Sequence, residues 1–158
     1  MLKDGGLTIW DSLAIGEYLA ERFPQAGLWP KDTGARSVAR SVSAEMHSGF
    51  EALRRDMPMD LKQDHPGSGH TPGALADIER ITAIWAECRG RFAAEGPFLF
   101  GGFCIADAMY APVATRLRTY GVSLDPVSEG YVRAVLDWPA MRRWAAAAAA
   151  EPWVLENP

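Results

Sequence analysis

Cysteine is scarce in this 158-residue chain: only Cys88 and Cys104 occur, and neither lies in a CxxC or Cys/His cluster. That usage excludes a disulfide framework and the common zinc motifs, and it suits a reducing cytoplasm. A basic excess is also missing. Sixteen Lys and Arg against twenty Asp and Glu give a formal net charge of −4, so no cationic surface is on hand for a phosphate backbone. Nucleic acid is not expected as a partner. No apolar run approaches the ~20 residues that span a bilayer. The N-terminal MLKDGGLTIWDS has neither the apolar stretch nor the cleavage site of a signal peptide, so no membrane association is expected. Internal repeats are absent too; the one low-complexity stretch is the alanine run Ala145 to Ala150.

What is present is an ordinary globular balance, 48% hydrophobic and 23% charged residues, in a length that fits one full domain and part of another. The first nine residues read as strand, turn, strand: Met1-Leu2, then Asp4-Gly5-Gly6, then Leu7-Thr8-Ile9. A helix starts at Asp11 or Ser12, both good cap types, carries Leu13, Ile15, Tyr18 and Leu19, and stops at Phe23-Pro24. Gln25 to Gly34, with Gly27, Pro30 and Gly34, has linker composition. The expected organisation is therefore a small α/β piece over 1–24, a linker over 25–34 and an all-α domain over 35–158.

Beyond the linker the apolar spacing is helical. Val38, Val42, Met46, Phe50 and Leu53 predict one long helix from about Ala35 to Arg55. Asp64 to Pro72 is loop. Leu75, Ile78, Ile81, Trp85, Cys88 and Phe92 mark one face of a second long helix, which Gly96-Pro97 stops. A third helix begins near Cys104 and carries Ile105, Met109, Val113, Leu117 and Tyr120. Pro112 sits inside it and predicts a kink, or neighbours that tolerate the lost hydrogen bond. A short amphipathic piece covers Glu129 to Leu136, and Asp137 is expected to cap a final helix over Ala140 to Ala150. The sum is a helical bundle.

Two strings carry a resemblance. GGLTIWDSLAIGEYLAERFP resembles the end of the thioredoxin-like domain of glutathione transferases: a hairpin, an acidic residue followed by serine at a helix start, then Ala14-Ile15 and Tyr18-Leu19. About ninety residues on, Phe103-Cys104-Ile105-Ala106-Asp107-Ala108 resembles the capping motif that opens the central buried helix of the family's C-terminal domain. Both occur in order, and the resemblance covers the whole chain. It implies a glutathione-transferase C-terminal helical bundle, all-α, preceded by a remnant β-hairpin and helix of the thioredoxin-like α/β domain.

The resemblance also implies roles. The Ser12 hydroxyl and amide would bind the γ-glutamyl carboxylate of glutathione, and Asp11 would meet its ammonium. The physics agrees, because a helix start offers unpaired N–H groups and a positive dipole end. Asp and Ser also begin helices everywhere as plain caps. His47, Phe50 and Arg54, at i, i+3 and i+7, would line the pocket for a small hydrophobic electrophile; core packing for Phe50 and surface charge for Arg54 are the plainer alternatives. Gly49 would allow a close helix–helix approach, as at a homodimer interface.

Two departures from the family pattern matter. Cys104 replaces the usual Ser or Thr of the capping motif; a thiol is a weak acceptor, which costs the cap up to about 1 kcal/mol. Asp107 can still reach back to the amide of residue 104. Cys104 itself reads as a small buried hydrophobe. The second departure is larger: the family's catalytic tyrosine, serine or cysteine belongs to a part of the thioredoxin-like domain that would precede Met1. The family pattern puts a valine-proline pair just before that position, so Met1 is expected to be a false start and the chain inactive alone. His65 and His70, five apart beside Asp64, match no common ligand motif, and no metal is expected. Glutathione is the expected co-substrate; a non-catalytic helical binding or dimerisation module is the competing function.

Overall fold

The structure is a computed structural model that describes residues 1–93 and 96–153. It opens with an antiparallel hairpin, β1 (Leu2–Asp4) and β2 (Leu7–Ile9), registered Leu2 to Ile9, Lys3 to Thr8 and Asp4 to Leu7. The turn needs Gly5, whose φ is 56°. Helix α1 (Ser12–Arg22) follows, and the Tyr18 hydroxyl donates to Asp4 Oδ2 at 2.7 Å, tying the helix back to the hairpin. A single 3₁₀ turn, Pro24–Ala26, leads into the connecting segment.

That segment is better anchored than its composition implies. Trp29 is buried in the core beneath the Arg40 guanidinium, and the Leu28 carbonyl accepts from Ile105 N–H at 2.9 Å. Asp32 then caps α2 (Thr33–Ser48), accepting from Ala35 N–H.

The predicted helix over 35–55 is two helices. α2 ends at Ser48, and the short α3 (Glu51–Asp56) begins after a break at Gly49-Phe50. Phe50 sits in the left-handed region at φ 61°, which turns the chain; its ring stays in the core. A Cβ on Gly49 would lie 2.8 Å from the Glu45 carbonyl oxygen, so the close approach this glycine permits is to its own helix.

Helix α4 (Pro72–Phe92) is capped by Thr71 and buries Ala74, Ile78, Ile81, Ile84, Trp85 and Cys88. Leu75, expected on that face, is exposed; it is Ala74 that continues the stripe. Helix α5 (Ile105–Thr119) buries ten of its fifteen residues, which makes it the centre of the bundle. α2, on one side, is joined to it by the Tyr110 hydroxyl donating to the Val42 carbonyl at 3.2 Å. Trp85 of α4 meets Tyr110 and Tyr131 edge-on. Pro112 is accommodated within a continuous helix, because the partner it fails to satisfy belongs to Ala108, an exposed residue that water can reach.

The last two helices, α6 (Pro126–Asp137) and α7 (Pro139–Ala150), start differently from the sequence expectation. α6 begins at Pro126, with Asp125 accepting from Val127 and Ser128 N–H; the Asp-Pro pair is a cap-plus-first-turn signal. α7 has Trp138 at its cap position without a side-chain bond, and Asp137 instead accepts from Arg142 at 2.7 Å. The Trp138 ring is occupied elsewhere, stacked on Phe103 at 4.6 Å. No helix of the described residues is long and apolar enough to cross a membrane.

Candidate functional site

The start of α1 concentrates the unusual features. Asp11 is its cap: Oδ1 accepts from Leu13 N–H at 2.9 Å and Ala14 N–H at 3.2 Å, and the Asp11 carbonyl accepts from Ile15 N–H. Its backbone stands at φ 75° and ψ 132°, a region that L-residues rarely enter. Such strain, held by surrounding contacts, gathers at ligand sites. Asp11 is therefore the cap, and Ser12 is the first helical residue. Among the described contacts neither the Ser12 amide nor its hydroxyl has a protein partner, and the residue is exposed. A free amide and hydroxyl at the positive end of a helix form a receptor for a carboxylate.

The second carboxylate oxygen of Asp11 faces the helical domain. His47 Nε2, from the last turn of α2, lies 2.8 Å from Asp11 Oδ2, with both side chains a little over a third exposed. The helix-cap bonds, Ala14 foremost, together with the His47 imidazole hold the Asp11 carboxyl below its ordinary value. Nothing in the linear sequence links residues 36 positions apart, so this contact was not legible there.

Of the three expected pocket residues, only His47 reaches this site. Phe50 is in the core. Arg54 folds back over the end of α2, donating to the Gly49 carbonyl at 3.0 Å and to the carbonyls of Met46 and His47. The break at Gly49-Phe50 removes the shared helical face that the spacing implied. Arg54 acts instead as a cap for the carbonyls that α2 leaves unpaired.

The capping motif of α5 has the expected form. Asp107 Oδ2 accepts from Cys104 N–H at 2.8 Å, and Oδ1 accepts from Leu99 N–H at 3.1 Å. Burial raises the Asp107 carboxyl above its ordinary value against these two bonds. It also pushes the Cys104 thiol up to about 12 and the Cys88 thiol up to about 11. Neither is a thiolate nucleophile at neutral pH. His65 Nε2 lies 3.1 Å from Asp60 Oδ2, and His70 Nε2 lies 3.1 Å from the Tyr120 carbonyl oxygen, so both pin the 57–71 loop. A cavity of about 460 Å³ opens between α5 and α6, lined by Leu117, Val122, Val132 and Leu136, but it holds none of Asp11, Ser12 or His47.

Comparison with known proteins supports the family and the fold. Residues 44–147, about two thirds of the chain, match the family model of the glutathione S-transferase C-terminal domain. The chain belongs to the glutathione S-transferase family. It is 32% identical to the maleylacetoacetate isomerase of Pseudomonas aeruginosa over 94% of this chain and 65% of that protein. A stringent starvation protein A homologue from Haemophilus ducreyi is 29% identical over 77% of the chain and 53% of its own length. A glutathione transferase homologue from Burkholderia gl BGR1, solved with bound glutathione, superposes with a TM-score of 0.69 at 25% identity, covering 94% of this chain and 72% of that one. The chain thus spans about half to two thirds of the length of the curated relatives it matches.

Proposed function

We propose that the full-length protein is a glutathione-dependent transferase or isomerase of the cytoplasm, and that this chain supplies γ-glutamyl recognition. The observation that carries the reading is the start of α1: a strained Asp11 cap beside an unpartnered Ser12 amide and hydroxyl. In this reading the Ser12 donors take the γ-glutamyl carboxylate, and Asp11 takes the ammonium. Anchoring both ends of that amino-acid group orients the tripeptide, and the thiol is thereby directed towards the electrophile.

The group that stabilises the glutathione thiolate would come from the thioredoxin-like segment that the family resemblance puts ahead of Met1. Neither cysteine of this chain suits that role, since both are buried with raised values. The electrophile would be a small hydrophobic compound, or, by analogy with the isomerase relative, maleylacetoacetate. A homodimer belongs to the same proposal.

The test is turnover of glutathione with a chromogenic aryl halide, and separately with maleylacetoacetate, by this chain and by a form extended through the upstream codons. Activity confined to the extended form is the expected result. An in-frame stop close upstream of Met1, or silence of both forms, sinks it. A second reading, a helical binding module without catalysis, draws on the stringent starvation protein A homologue, whose name is not that of an enzyme. Silence of the extended form together with a stable dimer in light scattering would favour it.

A further inference from the structure

The proposed ammonium receptor, Asp11, is not free to receive a cation unconditionally: one of its oxygens already faces His47 Nε2 at 2.8 Å. An ionised carboxylate only accepts, so at that distance the imidazole nitrogen carries the hydrogen and donates it. Two protonation states satisfy this requirement. In the neutral state, with hydrogen on Nε2, the ring steadies the carboxylate and leaves its full negative charge to attract a ligand cation. In the imidazolium state the ring neutralises that charge itself. Ordinary histidines cross between these states in the range of about pH 5 to 8.

Of the other charged groups around α2, Glu21 of α1 and Glu51 at the start of α3 make no ion pair among the described contacts, and the rest are engaged away from the His47 ring. From α1, Glu17 pairs with Arg40 at 2.9 Å; from α4, Arg80 pairs with Glu45 at 2.7 Å. From α3, Arg54 donates to the backbone oxygen of His47 and not to its ring. On α5, Asp107 is held by two amides, and Arg116 donates to the carbonyls of Met57 and Pro112. Among the described residues, Asp11 is the one ion-pair partner of the His47 ring.

We propose that His47 is a positioning residue for the γ-glutamyl ammonium site, acting through Asp11: neutral, it aligns the carboxylate for the ligand's ammonium, and protonated, it displaces that ammonium. This rests on the glutathione reading above and deepens it, since it assigns the helical domain a proton-linked control over ligand entry at the other domain's helix start. Linkage makes the effect reciprocal, so a ligand that carries its own cation to Asp11 must ease proton release from His47 by the same factor.

The probe is S-methylglutathione, which lacks a thiol, so that thiol ionisation does not enter the pH profile. Calorimetric titration of the 158-residue chain from pH 5.5 to 7.5 should show affinity rising about two- to tenfold with pH, the range of weak to moderate site coupling. H47Q keeps an N–H donor without a proton to gain, and its affinity should be high and flat. H47A should bind weakly and flat, because the carboxylate loses its alignment. A wild-type profile unchanged in H47Q overturns the inference while leaving the glutathione reading intact. Absence of S-methylglutathione binding at every pH overturns both. A ligand-free check stands beside these: at a fixed pH of about 7.5 the ring-nitrogen NMR signals of His47 should move in D11N, and unmoved signals overturn the contact on which the inference depends.

Discussion

The Asp11 carboxylate divides its oxygens, one to the amides of Leu13 and Ala14 and the other to His47, while its backbone is held at a positive φ. Side chain and backbone therefore pull stability in opposite directions, and two substitutions separate them. D11A loses the cap and keeps the strain; D11G loses the cap and relieves the strain. The urea midpoint of D11G should exceed that of D11A, and the reverse order would mean that no strain is stored there. Carboxylates also divide by sign. Asp11, Asp56, Asp60 and Asp125 are lowered below 3.8, so their stabilising contributions are present above that pH and are lost on acidification through the folded values. Asp107 is raised by burial, so the folded chain holds its proton more tightly than the unfolded one, and its contribution declines as pH rises from 3.8 to the folded value. D107N should abolish that decline above 3.8 in a pH series of denaturation curves, and lower stability at pH 7 by about 1–3 kcal/mol through the lost acceptor.

At the scale of elements, the long periodic helices and the capping motif of α5 were readable because their signals are local. Ile78, Ile81, Trp85 and Cys88 repeat at helical spacing, and Asp107 sits three residues from the amide it accepts from. The joint between α2 and α3 was not readable. Val42, Met46, Phe50 and Leu53 keep the apolar rhythm across it, because Phe50 stays buried after the chain has turned. Left-handed backbone at a phenylalanine has no composition signal, and Gly49 alone does not distinguish a break from a close helix–helix approach. The lack of a side chain at Gly49 is what lets the joint form. A methyl group there meets the Glu45 carbonyl oxygen at 2.8 Å, and backbone cannot move aside as a flexible side chain does. G49A should therefore destabilise the chain by about 1–3 kcal/mol in urea denaturation, in the manner of an overpacked core. A neutral result would show that the α2–α3 joint yields freely. The candidate site was legible only in part for the same reason. Asp11-Ser12 is a local pattern, whereas the His47 contact belongs to the packing of α1 on α2.

For the whole molecule, the hairpin and α1 are bound to the bundle far more thinly than the bundle is to itself. No residue of α1 is buried, against ten in α5. The attachments are few: Arg40 with Glu17, His47 with Asp11, Gly16 lying against the Ile105 side chain, and the partly buried Leu13 and Ala20 packed on the core. Segments with little buried apolar contact open at low free energy, while core helices open only on global unfolding. Native-state hydrogen exchange should then give two classes, with amides of β1, β2 and α1 exchanging much faster than those of α5. Uniform protection would mean that the two parts unfold as one. The proposed glutathione contacts lie in the weakly protected class, so binding must stabilise that class selectively. S-methylglutathione at saturating concentration should slow exchange in α1, by a factor approaching 1 + [L]/Kd, and leave α5 nearly unchanged. Equal slowing in both would place the ligand on the bundle, away from Asp11 and Ser12.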